Sequence, residues 1–158
     1  MIFKNPIITA AITLLVTSSL QMHVTYAEDL PAMEVFHLKT CGCCRTWIKY
    51  MEANGFTIKS SPVPNTRPVR ERLRVPESAS ACHTAVIGDY VIEGHVSAEE
   101  IFRLLKETPD IIGLAAPDMP KGAPGMEGPD AEPYDVLELQ PDGTTTIYAR
   151  HGIEPDPD

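Results

Sequence analysis

Residues 33–44 read MEVFHLKTCGCC, and this stretch decides the fold that the sequence predicts. Its apolar first half, residues 33–38, predicts a short buried β-strand. A helical pattern follows, and Thr40 is placed to cap that helix. Four residues spaced at i, i+3, i+4 and i+7 give the helix a single apolar face: Cys44, Trp47, Ile48 and Met51. The motif therefore puts three thiols where a strand gives way to a helix.

Outward from this strand–helix pair, the same periodicities predict the rest of an α/β domain. Ser97 and Glu100 form a capping box, and the helix after it carries an apolar stripe of Ile101, Leu104 and Leu105. Further strands are predicted at residues 56–59, 84–87 and 90–93, and a basic helix at 65–75. The resulting order, β-α-β-α-β-β-α, predicts a thioredoxin-like core.

A proline- and glycine-rich segment follows at residues 114–133, where five prolines alternate with three glycines. This composition predicts an irregular loop, and a loop of that length in a compact domain is usually functional or disordered. It carries two methionines, Met119 and Met126. Residues 134–139 and 144–149 then predict a C-terminal β-hairpin, and residues 152–158 an acidic tail.

The first 27 residues have the pattern of a secretory signal peptide. Lys4 precedes an uncharged apolar run at residues 7–20, and Ala27 ends a small-residue cleavage site. Cleavage there predicts a periplasmic protein, soluble after processing, with its domain at 28–151; an uncleaved membrane anchor is the alternative. Loss of Lys4 changes the formal charge from −9 to −10. This charge argues against nucleic acid and anionic membranes as partners and favours cations as ligands.

Cys41 and Cys44 form a C-x-x-C motif at the start of the predicted helix. Backbone N–H groups and the helix dipole favour thiolate there, which both disulfide exchange and metal binding require. A structural disulfide is the alternative, because exported cysteines tend to pair. Cys43 adds a third thiol that disulfide chemistry does not need but that a soft Cu(I) ion can use. An inert Cys43 in the core is the competing interpretation.

The one other cysteine, Cys82, is followed directly by His83. In thioredoxin-like folds this connection packs against the C-x-x-C motif and usually carries a cis-proline, yet residues 81–84 contain none. We therefore expect metal ligation rather than protein disulfide exchange, with a buried cysteine beside a surface histidine as the alternative. Three further side chains are candidate ligands: Met119, Met126 and His95. For the two loop methionines, the alternative is that they only cover apolar surface. His37 is expected in the core and His151 in solvent.

Five motifs in this order resemble one known family: CGCC at 41–44, SACHTAV at 80–86, YVIEGHV at 90–96, GLA at 113–115 and PGME at 124–127. The family is domain of unknown function 411, which includes the CopG-type copper-resistance proteins. The resemblance implies an exported, thioredoxin-like protein with a multi-copper thiolate site that interconverts Cu(I) and Cu(II). Carried onto this sequence, it places Cys41, Cys43, Cys44 and Cys82 at the copper site, with His83 and the loop methionines as accessories.

The sequence thus predicts an exported copper-binding protein that holds more than one Cu(I) ion and works with other periplasmic copper-handling proteins. Activity as a copper oxidoreductase would be its enzymatic extension. The alternative is a periplasmic thiol–disulfide oxidoreductase that uses Cys41 and Cys44 as its redox pair. A third hypothesis is a passive zinc or metal-storage module.

Overall fold

The computed structural model describes residues 30–152 and shows a mixed α/β protein built on one seven-stranded sheet. The strands are β1 (Met33–Leu38), β2 (Ile58–Val63), β3 (His83–Ile87), β4 (Tyr90–Gly94), β5 (Gly113–Ala116), β6 (Tyr134–Leu139) and β7 (Thr145–His151). The helices are α1 (Gly42–Ala53), α2 (Arg67–Arg72) and α3 (Ala98–Glu107), with a 3-10 turn at Glu77–Ala79. The predicted signal peptide and residues 153–158 of the predicted tail lie outside the described residues. None of the helices within 30–152 is long and apolar enough to cross a membrane.

The strands lie in the order β2-β1-β3-β4-β5-β6-β7. Two neighbouring pairs are parallel, β1 with β2 and β4 with β5, and the remaining pairs are antiparallel. The α/β class predicted from the sequence is confirmed. Because β1 and β3 are adjacent and antiparallel, the segment that leaves β1 and the segment that enters β3 meet at the same end of the strands.

The buried apolar side chains form two clusters, one on each face of the sheet. The larger cluster combines the inward faces of α1 and α3 with the strands and includes Trp47, Met51 and Leu104. The smaller one lies under the segment that contains the 3-10 turn and includes Val91 and Ala115. Neighbouring strand residues belong to different clusters because successive side chains point to opposite faces.

The prediction of irregular structure from residue 114 onward is wrong for residues 114–116, which belong to β5. All four residues of β5 are buried between β4 and β6. A side chain at Gly113 would collide with the backbone of Val91. Glycine therefore lets this short strand approach β4 closely. The proline-rich composition begins only after β5 ends.

Two other predicted elements are displaced. β2 begins at Ile58 rather than at residue 56, and it continues through Pro62. Proline is tolerated because β2 is the edge strand and pairs only with β1. α2 is shorter than predicted, at Arg67–Arg72, with proline in its first turn. The predicted capping box of α3 is confirmed, since Ser97 and Glu100 bond reciprocally.

Candidate metal centre

The C-G-C-C motif lies at the junction of β1 and α1. Cys41, not Thr40, is the N-cap of α1, so the predicted cap is wrong by one residue. The Cys41 N–H donates to the Leu38 carbonyl at 2.9 Å, and this turn delays the start of the helix. The Cys41 sulfur then accepts the backbone N–H of Cys44 at 3.3 Å. The first turn of α1 therefore brings its thiols together where β1 ends.

Four sulfur atoms meet at this position, all within 4.8 Å of one another. Cys41 and Cys44 form a disulfide, and Cys43 and Cys82 are free. The Cys43 sulfur lies 3.5 Å from the sulfur of Cys41 and 3.8 Å from that of Cys82. The structure thus brings Cys82, distant in sequence, against the motif as the sequence predicts.

The sulfur of Cys82 also belongs to a second group of donors, formed with two imidazoles. It lies 3.3 Å from His83 Nδ1 and 3.2 Å from His95 Nε2. His95 Nδ1 is 2.8 Å from the Pro124 carbonyl, which can only accept, so Nδ1 carries the proton. In the neutral ring Nε2 therefore directs its lone pair at Cys82. This arrangement, a ring N–H fixed by a carbonyl, is typical of metal-binding histidines.

His83 is fully buried, so its interpretation as a surface histidine is wrong. Its ring packs on Trp47 with centroids 4.4 Å apart and meets His95 edge-on at 5.0 Å. Within residues 30–152 its Nε2 has no hydrogen-bond partner. The second histidine of the centre, His95, is also buried.

Burial sets the protonation of the metal-free centre. It raises the pKa of the Cys82 thiol to about 12, and the neighbouring Cys43 adds to this effect. Burial lowers the pKa of His83 well below its ordinary value, helped by His95, and it lowers the pKa of His95 as well. At neutral pH both imidazoles are therefore uncharged and available as ligands. A metal ion would have to displace the proton of Cys82.

A buried carboxylate, Glu93, holds the segment that carries Cys82 and His83. Its Oε1 accepts the Ala81 N–H at 2.7 Å, and its Oε2 accepts the Thr84 hydroxyl at 2.6 Å. Arg70 Nη1 lies 3.9 Å from Glu93 Oε1 and donates to the Ala81 carbonyl at 3.4 Å. Sequence reasoning missed this residue, although an acid inside the apolar strand YVIEG is a visible signal.

Comparisons with a family model and with solved structures both found matches. Residues 79–126 match the family model described as "Protein of unknown function, DUF411". Two solved structures, forms 1 and 2 of copper resistance protein CopG, are 40% and 41% identical to this chain, each with a TM-score of 0.73. The matches cover 78% and 77% of this chain and 98% of each of those chains. The chain belongs to the CopG copper-resistance family. A comparison with curated protein sequences gave no match.

The proline-rich loop of this CopG-family chain is anchored beside the donor groups at two points. Asp118 forms a parallel bridge with Ala81 and donates its N–H to the Ser80 carbonyl at 3.0 Å, so the backbone next to Met119 is held against the segment that precedes Cys82. A Cβ at Gly125 would lie 2.9 Å from the Trp47 backbone nitrogen, so the residue before Met126 packs directly on α1. Met119 is 51% exposed, and Met126 is half-buried. The contacts fix the backbone around both methionines, and ligation by their thioethers stays a prediction.

The remaining histidines lie outside the two donor groups. His37 is buried in β1, where its ring nitrogens contact Ser60 Oγ at 2.8 Å and the Leu38 carbonyl at 2.9 Å, as expected of a satisfied core histidine. The prediction of a solvated His151 is wrong. Its Nε2 lies 2.7 Å from Glu100 Oε1, and its ring stacks on Tyr134 at 4.5 Å because β7 extends as far as residue 151.

Proposed function

We propose that this protein binds copper in copper resistance and holds more than one Cu(I) ion in its cysteine-rich centre. The observation that carries the proposal is that one sulfur, of Cys82, belongs both to the four-sulfur group and to the group with His83 and His95. Two contiguous donor groups can hold adjacent ions bridged by a shared thiolate. Thiolate and imidazole donors suit copper, and the solved relatives are described as copper-resistance proteins.

Export and a thioredoxin-like core are part of the same proposal. The order β2-β1-β3-β4, with β3 antiparallel to its neighbours, supports the thioredoxin-like description. The signal-like pattern of residues 1–27 supports a periplasmic location. Copper exchange with other periplasmic copper-handling proteins follows from that location.

The Cys41–Cys44 pair gives the centre a two-electron couple next to its metal donors. Oxidation of the dithiol by two Cu(II) ions forms the S–S bond, yields two Cu(I) ions and releases two protons. The balance closes without a further reactant, and a dithiol reductant would restore the pair. Such a reaction would make the protein a copper oxidoreductase.

The second candidate is a thiol–disulfide oxidoreductase, favoured by the disulfide at the N-terminus of α1. Cys82 and His83 occupy the connection where a cis-proline would be expected for that activity. The absence of proline there favours copper, rather than a disulfide of another protein, as the substrate of the Cys41–Cys44 dithiol. A passive zinc-storage module remains the third candidate, distinguished by tight Zn(II) binding without a redox change.

Anaerobic titration of the reduced, metal-free protein with Cu(I) against a competing chelator tests the proposal. We expect more than one copper per chain, a lower stoichiometry in the Cys82→Ser variant and weaker binding in His95→Ala. His151→Ala is the matched control, since His151 lies outside both donor groups. Unchanged copper content in a triple Cys41→Ser/Cys43→Ser/Cys44→Ser variant would place the copper elsewhere. Efficient insulin reduction by the metal-free protein would favour the second candidate instead.

A further inference from the structure

Basic residues are concentrated in one part of this acidic chain. Residues 39–74 contain eight lysines and arginines and two acids, a formal charge of +6, whereas the whole chain carries −9. Residues 75–158 contain four basic and seventeen acidic residues. The basic segment includes the cysteine motif, α1, the edge strand β2 and α2. Positive charge is thus concentrated in residues 39–74 and negative charge in residues 75–158.

Part of this basic segment lines a groove of 370 Å³ between the end of β1, α1 and the edge strand β2. Its exposed cations are Lys39, Arg45 and Lys49, and one exposed acid, Glu52, also lines it, so cations outnumber acids there by three to one. The Arg45 guanidinium donates to the Lys39 carbonyl at 3.0 Å, so these two residues face each other across the Cys41–Cys44 turn. Within residues 30–152, none of the three cations forms a salt bridge. We name this surface the basic groove and define it by Lys39, Arg45 and Lys49.

We propose that the basic groove is a docking surface for an acidic protein that exchanges copper with the thiol centre. The inference rests on the copper-binding function proposed above. Unpaired cations beside a reactive centre attract a partner of opposite charge and orient it during encounter. Because Lys39 and Arg45 flank the Cys41–Cys44 turn, a partner held there would bring its metal close to the sulfurs.

A separate acidic partner fits these observations better than a second copy of the chain. A symmetric dimer through this surface would place the basic groove against itself, with like charges opposed. A head-to-tail contact with the acidic segment 75–158 would leave both surfaces open at the ends and propagate into a filament unless it closed into a ring. Pro62 on the groove wall also opposes strand addition at the β2 edge. The acidic remainder of the molecule disfavours an anionic membrane.

The test compares Cu(I) transfer from two synthetic methionine-containing peptides, one rich in glutamate and one rich in lysine. The Lys39→Glu/Lys49→Glu variant is paired with Lys106→Glu/Arg150→Glu, which makes the same change in net charge away from the groove. We expect the groove variant to accept Cu(I) from the acidic peptide roughly tenfold more slowly at low ionic strength, an effect that salt reduces. The control variant should change this rate by less than about twofold.

Equal rates of Cu(I) transfer from the acidic peptide to the groove and control variants would overturn the proposal that the basic groove is a docking surface. Copper stoichiometry measured on the same samples separates this result from failure of the proposed function, in which no variant takes up Cu(I). Sedimentation velocity provides a further test. Self-association that Lys39→Glu/Lys49→Glu abolishes would assign the groove to a second copy and overturn the proposal. The proposal would also be overturned if the metal-free protein bound phosphatidylserine vesicles and the Lys39→Glu/Lys49→Glu variant did not.

Discussion

Replacing Glu93 by glutamine will change how the stability of this protein depends on pH. The carboxyl group is fully buried and holds both ends of the segment that carries Cys82. In the Glu93→Gln variant the amide oxygen can still accept the Ala81 N–H, and the amide NH₂ can donate to the Thr84 hydroxyl. The substitution therefore removes the titration while keeping the hydrogen-bonded frame.

The magnitude follows from the two pKa values of this carboxyl group. Burial raises the pKa of Glu93 from 4.5 to about 7, outweighing the opposing effects of Thr84, Ala81 and Arg70. Between these values the folded protein keeps a proton that the unfolded chain has released. The free energy of unfolding is therefore highest below about pH 4.5 and falls as the pH rises to about 7, by about 3 kcal/mol from this group.

Urea unfolding of the metal-free protein, followed by the fluorescence of its single tryptophan, Trp47, measures the effect. From about pH 5 to about pH 8, wild type should lose about 2.5 kcal/mol relative to Glu93→Gln. Glu52→Gln, at an exposed position on α1, is the control and should follow wild type. If wild type and Glu93→Gln remained parallel over this range, the burial argument for Glu93 would be refuted.

Three other substitutions test the packing around the site. Gly125→Ala should lower the free energy of unfolding by about 1–3 kcal/mol, because its φ is +82° and the new Cβ would press on Trp47. The control is Gly143→Ala, where φ is +85° and the space is open, and thermal unfolding should show a smaller loss for it. Ser97→Ala should lower the free energy of unfolding by about 1 kcal/mol through loss of the α3 cap, and no change would argue against the capping box. Leu104→Ala should lower the free energy of unfolding in urea by about 2–5 kcal/mol, because the side chain is fully buried. A smaller decrease would mean that the core collapses around the cavity.

Elements with strong local periodicity could be predicted from the sequence. β1, α1 and α3 have clear apolar patterns, and capping chemistry marks the start of α3. β5 could not be predicted in the same way, because four small apolar residues carry little pattern and its place in the sheet depends on β4 and β6. The shift of β2 has the same origin, since pairing with β1 sets its register.

The cysteines of the candidate site and its histidines, His83 and His95, could be named from the sequence, but the contacts that orient them could not be predicted. His95 meets Cys82 only because β3 and β4 pair and the loop carbonyl of Pro124 fixes the ring. Glu93 holds the Cys82 segment by contacts across the same hairpin. Local sequence does not encode such contacts, so histidine orientation and carboxylate support emerge only from the fold.

The Cys41–Cys44 bond has a consequence for the hardness of the donor set. With the bond formed, the free donors are two sulfurs, from Cys43 and Cys82, and two ring nitrogens. Such a mixed set suits borderline ions such as Cu(II) or Zn(II). Reduction doubles the sulfur count and makes the same centre soft, which favours Cu(I). If the centre binds metal as proposed, the thiol redox state of the surroundings would therefore select which ion it prefers, without any change in the residues that form it.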